Sequence, residues 1–314
     1  MMIASAAAKI ILLGEHAVVY GVPAIAIPVS DVRVFATVKP EPPGKGLCIA
    51  AEDLNQILPV QVDAEQVDNA LLLTVKLILT RLHAKPPDAT IAIRSQIPPA
   101  SGLGSGAAVS TALGRALCMA IDQPLAREDL NAIVYEVEKM HHGTPSGIDN
   151  TVIVYERPVY YVRDQAIQTF SIGAPIHLLI ADTGQGALTK IAVGAVRDLY
   201  NSEPERITPI LDAIRDLVIR ARAAIEAGEI GVLGSLMNDN HAHLRELTVS
   251  SNELDQLVDA ARQAGALGAK LSGGGRGGNM IALVTPETRD EVERALLAAG
   301  AVRVIRTTLE KESA

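Results

Sequence analysis

The chain predicts an α+β fold in two domains, built of mixed or antiparallel sheets and helices, on three observations. Short apolar runs bounded by glycine, Ile10–Leu13 and Ala24–Val29, read as strands. Stripes of period 3.6 follow in the middle of the chain, and the last sixty residues or so read strand, helix, strand. At 314 residues the chain is longer than one ordinary core needs, and the Gly173-Ala-Pro175 break sets the expected boundary: 1–174 and 175–314.

Composition narrows the function classes. With 48% apolar and 20% charged residues, a packed core is expected rather than disorder. A net charge of −8 without any basic stripe excludes a broad nucleic-acid surface. Cys48 and Cys118 are far apart and lack metal-type spacing, which fits a reduced, cytoplasmic setting. No apolar run reaches the roughly 18 residues that cross a bilayer, and residues 1–8 lack a basic leader, so no membrane partner is expected.

Taken in order, the strands at 10–13 and 24–29 flank a loop that carries Glu15 and His16. Residues 39–66 are rich in Pro, Gly and polar side chains and predict a hairpin region. From Asp68 to Leu82 the residues Leu71, Leu72, Val75, Ile78, Leu79 and Leu82 share one helical face. Ala89–Arg94 is a strand, 107–121 and 127–141 are helices, and Thr151–Ser171 alternates as antiparallel strands do. Beyond Ile176–Ala181, a strand, helices are expected over 187–200, 207–227, about 233–244 and 252–264.

Four segments carry chemistry. In Ile97-Pro-Pro-Ala-Ser-Gly-Leu-Gly-Ser-Gly-Ala107, three glycines alternate immediately before a helix. Glycines let backbone approach an anion, and the helix start offers unpaired N–H groups and a positive dipole end, so phosphate is the fitting guest. No Lys follows, which excludes a Walker A loop, and no acidic residue follows some twenty positions on at a strand end, against a dinucleotide site. Glu138 and Asp149 lie eleven positions apart across a Gly-Thr-Pro-Ser-Gly loop, so one carboxylate can hold Mg²⁺ while the other accepts a proton. Gly273, Gly275 and Gly278 satisfy G-x-G-x-x-G literally, but a strand follows where that fingerprint needs a helix. The pairs His141-His142 and His241-Ala-His243 lack partners of zinc-site spacing, and no zinc site is expected.

The motif order resembles the GHMP kinase superfamily, from residue 9 to residue 278, and within it Ala17-Val-Val-Tyr-Gly21 is similar to the mevalonate kinase branch. The resemblance implies a GHMP-kinase fold with a ferredoxin-like C-terminal domain. It also implies ATP-dependent phosphorylation of the 5-hydroxyl of mevalonate, with ATP and Mg²⁺. Asp149 matches the catalytic aspartate and Lys9 the lysine beside it, both also touching the acceptor. Glu138 matches the Mg²⁺ ligand, with Ser105 as a second oxygen. Pro99, Ser101, Gly102, Leu103, Gly104, Ser105, Gly106 and Ala107 match the nucleotide loop. Glu15, His16, Thr189 and Gly274 match positions that line the acceptor side. A homodimer is compatible with the family.

Two departures stand out: Ala7-Ala8 replaces the usual Pro-Gly before the lysine, and Gly106 replaces a serine that supplies a Mg²⁺ oxygen in relatives. Alternatives on the same fold are a phosphomevalonate kinase, a mevalonate diphosphate decarboxylase, or a catalytically silent metabolite sensor. An acceptor bearing a phosphate calls for extra Arg or Lys, and a sensor has no need of a base beside a lysine.

Overall fold

The computed structural model describes residues 2–60, 68–98, 101–142, 145–166, 168–186 and 189–311. They pack as two units that interleave along the chain. Met1–Lys9, Val32–Pro99 and Leu103–Glu156 form the first; Ile10–Asp31, Ala100–Gly102 and Arg157–Ala314 form the second.

In the first unit, β1 (Met2–Leu13) and β2 (Ala24–Pro40) contribute residues 2–9 and 32–40. From Val32 to Val38 burial alternates, as a strand with one covered face requires. β3 (Leu47–Ala51) and β4 (Gln56–Pro59) make the expected hairpin, with Cys48 opposite Pro59. α1 (Ala70–Leu82) starts at Asn69, whose side chain accepts from the N–H groups of Leu71 and Leu72. β5 (Ala89–Ser95) then runs parallel to β3 and antiparallel to β2, with Val34 opposite Ser95. Three helices complete the unit: α2 (Ser105–Ala120), α3 (Arg127–His142) and α4 (Ile148–Tyr155). α2 is central, packing on β5 and on α1, α3 and α4 through small buried residues such as Ala108, Ala112 and Ala116.

α4 corrects the strands expected over 151–171. Asn150 through Val154 are all buried, enclosed by α2 and α3, so the spacing of Val152 and Val154 reflected full burial rather than two alternating faces. Strand structure begins only at β6 (Val159–Tyr161), which pairs with β7 (Gln168–Thr169).

In the second unit, Ala24–Ala26 of β2 pair with β6. β8 (Ile176–Asp182) is followed by α5 (Thr189–Ser202), α6 (Pro204–Ala227), α7 (Ile230–Glu246) and α8 (Asn252–Gln263). α6 opens three residues before the expected start, because Pro204 takes the first helical position, where its missing N–H costs nothing. β9 (Gly268–Ser272), β10 (Asn279–Val284), α9 (Arg289–Ala298) and β11 (Arg303–Leu309) close the chain. The sheet order is β11-β8-β10-β9, antiparallel throughout. With helices between β8 and β9 and between β10 and β11, this is the ferredoxin-like arrangement. α7 lies against β9 with backbones touching: a Cβ on Gly268 would stand 2.1 Å from the carbonyl oxygen of Gly234. Among the described residues, no helix is long and apolar enough to cross a membrane.

Candidate active site

β1 delivers Lys9 into the first unit with its side chain almost fully buried, and its Nζ lies 3.0 Å from Oδ1 of Asp149. Asp149 stands on the first turn of α4, where the helix dipole favours a carboxylate, and keeps 34% of its side chain open. The Lys9 amide donates to the carbonyl of Leu103 at 3.0 Å, which binds β1 to the glycine loop. A Cβ on Gly104 would meet the Lys9 stem at 2.9 Å and Ile153 at 2.8 Å, so only glycine lets the loop lie against the lysine.

Glu138 is buried on α3, and its carboxyl is pushed up to about 7. Burial is the main cause and the Asp149 carboxylate adds to it, while Lys9 pulls the other way. α2 begins at Ser105 without any side-chain cap, so its first-turn N–H groups are presented to an anion. A buried carboxylate, a serine hydroxyl and an anion-binding helix start suit a hard divalent cation that retains phosphate and water oxygens. Among the described residues, no cluster of three or more His, Cys, Asp or Glu offers an all-protein cage.

The pair is held from behind. Arg115 spans from the Ser5 carbonyl on β1 (2.6 Å) to Glu156 (2.5 Å) and the Val154 carbonyl (2.9 Å) at the end of α4. Arg33 doubles the link, reaching Ser5 Oγ and both Glu156 oxygens. On the other side, Asn150 Nδ2 donates to Asn131 Oδ1 at 2.7 Å and ties α4 to α3.

A second group forms within the second unit. Glu15 and Lys270 make an ion pair with side chains 1% and 0% exposed. Asn240 reaches the other Glu15 oxygen at 3.4 Å. His16, at φ 61° and ψ −48°, sits 3.0 Å through Nε2 from the carbonyl of Gly274. A carbonyl only accepts, so Nε2 carries the proton. Burial lowers the His16 pKa to about 4, with Arg276 and Lys270 adding to the effect against the Gly274 hydrogen bond. The imidazole is therefore neutral at pH 7, a hydrogen-bonding partner rather than a counter-ion. Thr189 packs directly on Gly274, where a Cβ would lie 2.3 Å from its Oγ1. Asn279 Nδ2 donates to the Ser101 carbonyl in the same unit.

Of the residues singled out in the sequence, Lys9, Leu103, Gly104, Ser105, Gly106, Ala107, Glu138 and Asp149 gather in the first unit. Glu15, His16, Thr189 and Gly274 gather in the second, which also holds Ser101 and Gly102. Pro99 and the side chains of His141 and His142 lie outside the described residues. Lys270 and Asn240 were missed; the available signal was a lysine inside the apolar run Ala269-Lys-Leu.

Comparison with known proteins gives the family. Residues 69–157 match the GHMP kinases N terminal domain and residues 221–302 the GHMP kinases C terminal model. The chain belongs to the GHMP kinases. Its resemblance within them runs to mevalonate kinases: the enzyme from Pyrococcus abyssi is 37% identical over 330 aligned positions, covering 99% of this chain and 96% of that protein. The crystal structure of L. major mevalonate kinase in complex with R-mevalonate superposes with a TM-score of 0.85 at 29% identity, covering 100% of this chain and 97% of the other. Methanococcus jannaschii mevalonate kinase gives 0.84 at 26% identity, covering 99% and 98%.

Proposed function

We propose that the protein transfers the γ-phosphoryl group of ATP to the 5-hydroxyl of mevalonate, giving 5-phosphomevalonate and ADP for isoprenoid precursor synthesis in the cytoplasm. The observation that carries the reading is the Lys9–Asp149 contact of 3.0 Å beside the uncapped start of α2. It stands in a chain that is 37% identical, over nearly its whole length, to a mevalonate kinase.

Phosphoryl transfer is governed by alignment and charge stabilisation more than by covalent chemistry. Asp149 orients the acceptor hydroxyl and takes its proton. Lys9 supplies the counter-charge to that carboxylate and to the phosphoryl oxygens in flight. The loop from Ser101 to Ala107 and the first N–H groups of α2 seat the polyphosphate. Glu138 and Ser105 would hold Mg²⁺, which would offset phosphate charge. Glu15, His16, Thr189 and Gly274 line the acceptor, with the neutral His16 suited to a hydroxyl. We assign the nucleotide and catalytic groups to an N-terminal domain, 1–174, and a C-terminal GHMP domain to 175–314.

ADP release measured by a coupled assay across mevalonate, phosphomevalonate, galactose and homoserine tests this. Turnover with mevalonate well above the other three is expected. Preference for phosphomevalonate, or no turnover at all, refutes it.

A further inference from the structure

A lysine with no exposed side-chain surface is costly to keep, because an ammonium removed from water gives up its hydration. Burial indeed pulls the Lys270 pKa below its usual value. The surroundings offset this cost with specific partners. Lys270 Nζ donates to Glu15 and, at 2.6 Å, to the Leu271 carbonyl. The strand that carries it is fixed on every side. The Leu271 amide donates to His241 Nδ1 at 3.3 Å, the Ala269 amide to Asn238 Oδ1 at 3.0 Å, and Ser272 Oγ to the Ile11 carbonyl at 2.7 Å. His241, protonated at Nε2, is itself anchored 3.2 Å from Asp255. The ammonium is therefore a fixed point, and Glu15 is moored to it. Residue 16 follows at once in a left-handed conformation that most side chains avoid, and its ring closes on Gly274, four residues beyond the lysine. Two adjacent residues are thus gripped by the two ends of one five-residue span.

We propose that Lys270 is a positioning residue for acceptor binding: it holds the Glu15 carboxylate and so sets His16 against Gly274 and Thr189. The proposal rests on the reading of Glu15, His16, Thr189 and Gly274 as the acceptor side.

The test is a double-mutant cycle of Lys270→Met and Glu15→Gln in the full-length enzyme. KM for mevalonate, KM for ATP, kcat and thermal midpoint are read for each variant. Lys270→Met is expected to raise the mevalonate KM roughly 10- to 100-fold while changing the ATP KM little, since the misplaced groups do not touch the nucleotide. Because the lysine acts through Glu15, adding Lys270→Met to Glu15→Gln should raise that KM no further. A lowered thermal midpoint with the mevalonate KM unchanged, or independent effects that multiply in the double variant, overturns the proposal. Should Lys270→Met not fold, Asn240→Leu loosens the other Glu15 oxygen without stranding a charge and must shift the same KM. If Glu15→Gln and His16→Ala leave the mevalonate KM untouched, the acceptor-side reading itself fails. If they raise it and Lys270→Met does not, only the positioning role fails.

Discussion

Placing serine at position 106 should weaken divalent-ion binding here. A Cβ on Gly106 would lie 2.8 Å from Glu138 Oε1, and ordinary contact starts at 3.4 Å, so the carboxylate would have to retreat by at least 3.4 − 2.8 = 0.6 Å. Glu138 is 4% exposed, so its flexible end can turn aside only against packed neighbours. Overpacking of this kind costs about 1–3 kcal/mol. Expressed on an ion that this carboxylate would hold, this is roughly 5- to 150-fold in dissociation constant. Mn²⁺ titration of the enzyme–ADP complex, with free Mn²⁺ followed by electron paramagnetic resonance, measures it directly. Gly106→Ala and Gly106→Ser carry the same Cβ and should both bind Mn²⁺ more weakly. Tighter binding by Gly106→Ser, or an unchanged constant for Gly106→Ala, would refute the reasoning, since the carboxylate would then not occupy the serine's place.

Other outcomes follow from the same geometry. Asp149→Asn should abolish turnover while leaving the dissociation constant of an ATP analogue within a few-fold, as isothermal calorimetry can check. Lys9→Met should lower kcat by more than it raises either KM, because its charge is most needed as phosphoryl charge develops; a pure KM effect would make it a binding residue. His241, with its pKa lowered from 6.5 to about 4 mainly by burial, binds a proton in the unfolded chain but not in the folded one between those values. That stability contribution is present above pH 6.5 and is lost as pH falls to 4, on the order of 3 kcal/mol. Urea denaturation of His241→Gln across that range should show a shallower acid loss than the parent chain.

The contact of Lys9 with Asp149 was legible because both residues lie in short segments of distinctive order. The ion pair itself, joining positions 9 and 149, rests on the Ser5–Arg115–Glu156 link, which no local pattern announces. Lys270 escaped notice for a related reason. In Ala-Lys-Leu-Ser, alternation suggests a lysine facing water, but every residue of β9 is buried, so the period-two rule has no outer face to report. The same failure produced the strands expected at 151–154, where burial on all sides of α4 erased the helical stripe. The packing of 10–31 with the latter half of the chain was beyond reach too, since it depends on partners more than 120 positions away, such as Tyr161 opposite Ala24.

The double arginine link at Glu156 works like the frame of a caliper, with Lys9 and Asp149 as its two jaws. Ser5 is four positions from one jaw and Glu156 seven from the other, so the gap is gauged several residues from either side chain. Anyone reshaping the glycine loop must spare Leu103 and Gly104, which touch Lys9 itself. A change at Arg33 or Arg115, which touch neither jaw, would throw the instrument out of true as well.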